Sequence, residues 1–383
     1  MGILDDPRVD MNFLLRHGFE PERFEAEAEA VRSGELTPES SILRGSIEPA
    51  KSHPFDPADS EAKDAGEEAL SQGRVALVVL NGGMATRFGG VVKGVVEVFD
   101  QKSFIELKCE DARRVSVRYG APVPLVLMNS FATDTATRSH LRMADRFGLR
   151  PEQVSFFEQT ISLRLTPEGE LFEVDGELSP YAPGHGDFYP CVRGSGVLKA
   201  LRERGVEHLL FSNVDNLGAT ADPRVIGHHL RSGAAMTVEV TEKRRVNGKW
   251  DKGGAPAVVD GQLQIVEGFR FPPDFAQEQL PDFSTNTFHF RLADLDRPIV
   301  LSRHAVRKEV GGKTALQLES IACEASALRD DSGQPLLPLH LLRVDRDSEE
   351  EGRFFPTKAP EDLERNRDAL ERRLNRHWDR LGA

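Results

Sequence analysis

Asn81-Gly82-Gly83, with Arg87 and Lys93 close behind, is a stretch suited to holding phosphates. Glycines let bare backbone approach a ligand, and their exposed N–H groups attract anions. Arg87 and Lys93 add two cations to the same loop. Spacing excludes two common alternatives. No register supplies glycine, four residues and then Gly-Lys-Ser/Thr, so the loop is not a P-loop. Ala85 breaks the pattern G-x-G-x-x-G of a dinucleotide site. A second loop, Pro183-Gly184-His185-Gly186-Asp187, leaves the His185 ring accessible between glycines. No G-x-S-x-G accompanies it, which argues against a serine–histidine hydrolase. Asp215 is the metal candidate. A lone carboxylate within reach of a bound polyphosphate suits Mg²⁺, which keeps few protein ligands and takes phosphate oxygens for the rest. Gly254 precedes one apolar run and Glu267 follows another. Ser284-Thr285-Asn286-Thr287 offers small hydrogen-bonding groups of the kind that read sugar hydroxyls. Phe354-Phe355-Pro356-Thr357-Lys358 sets a lysine after an apolar anchor.

These residues need elements to position them. Residues 75–80 are apolar throughout and suit a strand buried on both faces, ending at Leu80 and Asn81. Residues 123–128, 154–157 and 206–211 read as further strands, with polar helices over 134–147 and 197–203 between them. Polar residues gather where these strands stop: Asn81, Asn129, Gln159, then Asn213 and Asp215. In an open α/β sheet, ligands sit beyond the carboxyl ends of the strands, so these positions are expected to share one site. Residues 1–70 read as a helical preamble. Pro49, Pro54 and Pro57 mark residues 48–60 as an extended linker. A charged helix over 361–381 carries Leu363, Leu370, Leu374 and Trp378 on one face. Strands alternating with helices predict an α/β fold with a parallel or mixed sheet.

The chain has 383 residues and a net charge of −13. That balance makes nucleic acid an unsuitable partner, and anions must be met by local clusters of cations. Cys109, Cys191 and Cys323 lie far apart, without the spacing of a disulfide framework or a zinc site, as suits a reducing cytoplasm. No apolar run approaches the ~20 residues needed to span a bilayer, and the start lacks the pattern of a signal peptide.

An ordered series of motifs resembles the UTP–glucose-1-phosphate uridylyltransferases, over residues 75–360. It comprises Leu80-Asn81-Gly82-Gly83 with Thr86, Gly89 and Lys93; Pro124 through Asn129-Ser130-Phe131; Phe157-Glu158-Gln159; Pro183 to Asp187; Ser212-Asn213-Val214-Asp215-Asn216-Leu217-Gly218-Ala219; Lys252-Gly253-Gly254; Gln317-Leu318-Glu319; and Arg353 to Lys358. The resemblance implies a Rossmann-like mixed sheet of the glycosyltransferase-A or nucleotidyltransferase type. It implies a helical segment over 1–70, a nucleotide- and sugar-binding catalytic domain over 71–300, and a C-terminal part over 301–383 that completes the site with Lys358. Leu80, Gly82, Gln159 and Gly184 would hold uracil, and Asn81, Gly83 and Asn129 would stand in the same binding site. Lys93 would sit on the UTP phosphates, with Arg87 beside it. His185 would contact the sugar phosphate and Lys358 the reacting phosphates. Asp215 would hold Mg²⁺. Asn213, Glu267 and Asn286 would face the sugar, and Gly254 would be a further substrate-binding residue.

The sequence departs from that pattern in places. Ala85 stands for the third glycine of the first loop, and Val92 for the proline before the lysine. Thr86-Arg87 is closer to the N-acetylhexosamine branch, whereas Pro183 to Asp187 and Asp215 to Ala219 are closer to the glucose branch. The C-terminal β-helix of eukaryotic members has no counterpart, so their assembly mode is not implied; a monomer or a small homo-oligomer is expected. The expected reaction is UTP plus glucose 1-phosphate to UDP-glucose and pyrophosphate, in the cytoplasm and with Mg²⁺. The alternatives are the same chemistry on N-acetylglucosamine 1-phosphate or several sugar 1-phosphates, a glycosyltransferase that consumes a UDP-sugar, and a non-catalytic UDP-sugar-binding protein.

Overall fold

Eight strands form the main sheet: β1 (His53–Pro54), β2 (Val75–Leu80), β3 (Leu125–Asn129), β4 (Val154–Glu158), β5 (His208–Asn213), β6 (Met236–Glu242), β7 (Asp282–Arg291) and β8 (Leu339–Arg343). They lie side by side in the order β1-β8-β6-β7-β5-β2-β3-β4. The computed structural model describes residues 2–85, 90–246, 249–251, 253–357 and 359–382, and Arg87, Lys252 and Lys358 lie outside these described residues. β7 runs antiparallel to both of its neighbours, and every other pairing in the sheet is parallel. The fold is therefore mixed α/β, as expected. One consequence matters for the site. The start of β7 lies at the same edge as the carboxyl ends of β2 to β5, so residues 284–286 stand beside residue 213.

β2 is buried along its length because both faces of the sheet are covered. Ala76 and Val78 join a core with Val126, Met128, Phe211 and Phe288 on one face. Val75, Leu77 and Val79 join a second core on the other face. That second core contains the helix Phe104–Tyr119 and the closing helix Pro360–Leu381, through Leu363, Leu370, Leu374 and Trp378. The apolar face read from the sequence is the buried one, and Arg373 and His377 are buried on it too. The N-terminal helices Met11–Arg16 and Pro21–Arg32 pack Leu14, Phe19 and Phe24 against Ile161, Leu163, Leu316 and Leu318.

Residues 48–60 are not a free linker. Ile47–Pro49 pairs with residues 257–259, and β1 pairs with residues 342–343. Each is an outermost strand, where proline can join a sheet without breaking a ladder. The helix expected over 134–147 is an α-helix only to Met143, after which Arg146 and Phe147 take positive φ.

One face of the sheet's far half is rich in histidine. His229 Nε2 lies 3.2 Å from His208 Nδ1, and His229 Nδ1 lies 2.8 Å from Thr237 Oγ1. His340 stacks on His53 with ring centroids 4.8 Å apart. Burial pushes His208 and His340 down to about 4 and His229 well below its ordinary value. Between these values and the ordinary 6.5, the unfolded chain binds more protons than the folded one. Stability is therefore full above about pH 6.5 and is lost as pH falls toward 4. Thermal unfolding at pH 7 and pH 5 is expected to show a lower midpoint at pH 5; a flat profile would contradict it.

Candidate active site

The carboxyl edge of β2, β3, β4 and β5 opens into a cavity of about 340 Å³. Leu80, Gly82, Gly83, Lys93, Gln159, Gly184, His185, Asn213 and Asp215 all line it, along with Met128, Ala182 and Val214. A second lobe of about 170 Å³ is lined by Gly254, Glu267, Phe283, Ser284, Asn286, Phe354 and Pro356 among others. The lobes share His185, Asn213 and Asp215. The strand ends are level with one another: Asn213 is in register with Leu80, and Leu80 with Met128.

Local packing explains why glycine is needed twice. An added Cβ at Gly82 would fall 1.7 Å from Gln159 Nε2, so the Gln159 amide lies over bare Gly82 backbone. Ser130 Oγ donates to the Gly82 carbonyl at 2.9 Å and pins the loop. Gly184 has φ +102°, and a Cβ there would meet the Ser320 carbonyl oxygen at 2.5 Å. Ala85 lies in the short strand Met84–Ala85, so its backbone is extended and asks for no glycine.

Lys93 opens a turn at the rim, and its ammonium forms an ion pair with Asp215. Both side chains are largely buried, at 18% and 14% exposure. His185 Nδ1 accepts the Ala322 backbone N–H at 3.1 Å. Its Nε2 therefore carries the proton when the ring is neutral. Burial pushes His185 down to about 4. It is thus a neutral hydrogen-bond donor at pH 7. Asn286 has φ +56° and donates from Nδ2 to Asn213 Oδ1 at 2.9 Å. It is aimed there by a bulge: Glu239 faces Thr287 while Val240 faces Ser284, so residues 285 and 286 are extra on β7. Glu267 accepts from Cys323 Sγ at 3.5 Å, and burial pushes its carboxyl up.

Two expected binding residues do not line the cleft. Asn81 and Asn129 are fully buried beneath it. Asn81 Nδ2 donates to Asn129 Oδ1 at 2.9 Å and to Thr137 Oγ1 at 2.8 Å, and Asn129 Nδ2 donates to Asp134 Oδ1 at 2.8 Å. Their amides turn inward and fasten the glycine loop to the helix Asp134–Met143, with Asn81 Oδ1 left buried and unpartnered. Arg87 and Lys358 lie outside the described residues. Sequence reasoning missed Met128 and Phe283, which line the lobes, and Lys108, which lines neither but bonds the loop after β5. The last had a readable signal, a lysine on the apolar stripe of Phe104, Leu107 and Ala112.

The sheet, with a glycine loop and a lysine–carboxylate pair lining a cleft at its carboxyl edge, defines an α/β protein with a ligand-sized site at the strand ends. The sequence model of the UTP–glucose-1-phosphate uridylyltransferases matches residues 28–333. The chain belongs to that family. It is 32% identical over 315 residues to the UTP–glucose-1-phosphate uridylyltransferase of Saccharomyces cerevisiae, covering 78% of this chain and 60% of that protein. The chain thus spans about three-fifths of that relative's length. Two solved structures share the fold. The Trypanosoma brucei UDP-glucose phosphorylase superposes with a TM-score of 0.76 at 23% identity, covering 93% of this chain and 77% of that one. The uridine diphosphate N-acetylglucosamine pyrophosphorylase of Trypanosoma brucei superposes with a TM-score of 0.69 at 21% identity, covering 95% and 82%. Among the described residues no helix is long and apolar enough to cross a membrane.

Proposed function

We propose that this chain transfers a uridylyl group from UTP to glucose 1-phosphate, releasing pyrophosphate. The observation that carries this is the border between the lobes: His185, Asn213 and Asp215 line both hollows, and Lys93, in the larger one, pairs with Asp215. A nucleotide in the larger lobe and a sugar phosphate in the smaller would bring their phosphates to that point. The Gln159 amide offers one donor and one acceptor, matching the imide edge of uracil.

An oxygen of the sugar phosphate attacks the α-phosphorus, and the bond from that phosphorus to the bridging oxygen of pyrophosphate breaks. The nucleophile is already an anion, so no proton must be removed. The difficulty is holding two polyanions in line and neutralising charge as it spreads. Lys93 leaves Asp215 for the departing pyrophosphate, while His185 donates from Nε2 to the attacking phosphate. Asp215 then has an open carboxylate. A hard oxygen donor freed of its ammonium and facing the cleft fits Mg²⁺, which Asp215 would hold. When bound, Mg²⁺ would supply charge neutralisation at the reacting phosphates.

Pyrophosphate release from UTP with a panel of sugar 1-phosphates tests the reading. The highest kcat/KM is expected with glucose 1-phosphate, and none without a sugar phosphate. Preference for N-acetylglucosamine 1-phosphate moves the chain to the neighbouring specificity; no release with any member sinks the proposal. Gly82→Ala gives a narrower check. Its methyl group must displace the Gln159 amide, so KM for UTP is expected to rise about tenfold, the scale of one lost hydrogen-bonding pair. The unfolding midpoint should barely move, because the displaced group is the end of a flexible side chain.

A further inference from the structure

Lys108 is 4% exposed, in the middle of the buried face of the helix Phe104–Tyr119. An ammonium in such a place is costly unless every proton finds an acceptor. Here three acceptors meet three protons: Asn216 O at 2.7 Å, Ser212 Oγ at 3.2 Å and Ala219 O at 3.2 Å. All belong to the end of β5 and the loop after it, the loop that carries Asp215. One turn along the same helix, Asp111 Oδ2 accepts the Ala221 N–H of that loop at 2.9 Å. Its other oxygen lies 2.9 Å from His377 Nε2 on the closing helix.

The opposite side of the loop holds residues 353–355. Asn216 Oδ1 accepts the Phe355 N–H at 3.2 Å, and the Thr220 carbonyl accepts from Arg353 at 3.3 Å. Gly218 lets the two backbones touch, since a Cβ there would come 2.6 Å from the Arg353 carbonyl carbon. Asn216 is thus gripped by Lys108 through its carbonyl while its side chain grips residue 355. We infer that Lys108 is a positioning residue: from beneath, it fixes one loop that sets the Asp215 carboxylate and is held on its other side by residues 353–355.

The inference rests on the proposed reaction, and its test separates the two. Lys108→Met keeps the unbranched apolar stem and removes the ammonium that makes the three bonds. The apparent half-saturating Mg²⁺ concentration is expected to rise about tenfold and kcat to fall about tenfold, the scale of a small misplacement of reacting groups. Uridine, which meets only the larger lobe, should bind within about twofold of the unmodified protein. Hydrogen exchange provides a readout independent of activity: the amide of Ala221 and its loop neighbours should exchange at least about tenfold faster, with β2 and β3 unchanged. A folded Lys108→Met protein with unchanged Mg²⁺ saturation and unchanged loop exchange overturns the inference, whatever its melting point, because a merely structural lysine would move only that. Should Lys108→Met not fold, Asp111→Asn is read in the same way through the Ala221 amide. Absence of uridylyl transfer in the unmodified protein removes the reaction, and loop exchange alone then judges the positioning.

Discussion

Lys93→Ala is expected to lower kcat about 10³-fold, roughly 4 kcal/mol in the barrier, while the fold survives. The size follows from where the charge acts. The departing pyrophosphate gains negative charge as its bond breaks, and a fixed cation in a partly dry cleft stabilises it far better than water does. Lys93 is only 18% exposed, so water cannot fully replace it. The cost to folding is smaller. The variant leaves Asp215 without its ammonium, but that carboxylate faces the cleft and can be hydrated. The check is a pair of measurements on one preparation, pyrophosphate release under saturating substrates and the thermal midpoint. Turnover within a few-fold of normal would remove Lys93 from the chemistry, and loss of the folded state would make it a structural ion pair.

The residues that could be read from the sequence are those whose chemistry does not depend on direction. A six-residue apolar run followed by Asn-Gly-Gly reads as strand and loop however the sheet is wound, and Lys93 and Asp215 follow their strands closely enough to reach the same edge. Side chains whose orientation decides their role were not legible. Asn81 and Asn129 end strands just as Asn213 does, yet they turn inward because Thr137 and Asp134 on a neighbouring helix wait there. Residue type and the resemblance single out Asn286, but the reversed, bulged β7 that brings it to the cleft leaves no local mark. The state of His185 depends on the Ala322 N–H, 137 residues away. Edge strands of two or three residues with prolines, such as β1, are too short to show any period.

Asp215→Ala is expected to abolish most Mg²⁺-dependent activity, at least about 10³-fold, by a route distinct from that of Lys93. Among the described residues no group of three or more histidine, cysteine, aspartate or glutamate side chains could hold a metal. Glu267 stands in the second lobe, where burial favours its protonated form. Asp215 is thus the one carboxylate lining the larger lobe among the described residues. Removing it leaves a cation with phosphate oxygens and water alone. The two variants should separate in the ground state. Lys93→Ala takes a positive charge from the phosphate end of the cleft and should weaken UTP binding measured without metal. Asp215→Ala takes away a negative charge and releases Lys93 from its ion pair, so metal-free UTP binding should strengthen, even as turnover collapses. Because the two residues touch, their effects on binding should not add in the double variant. Opposite signs for the single variants would mark Asp215 as the cation's holder and Lys93 as the phosphate's. The same sign for both, or metal dependence that survives in Asp215→Ala, would make Asp215 a loop cap with no part in the reaction.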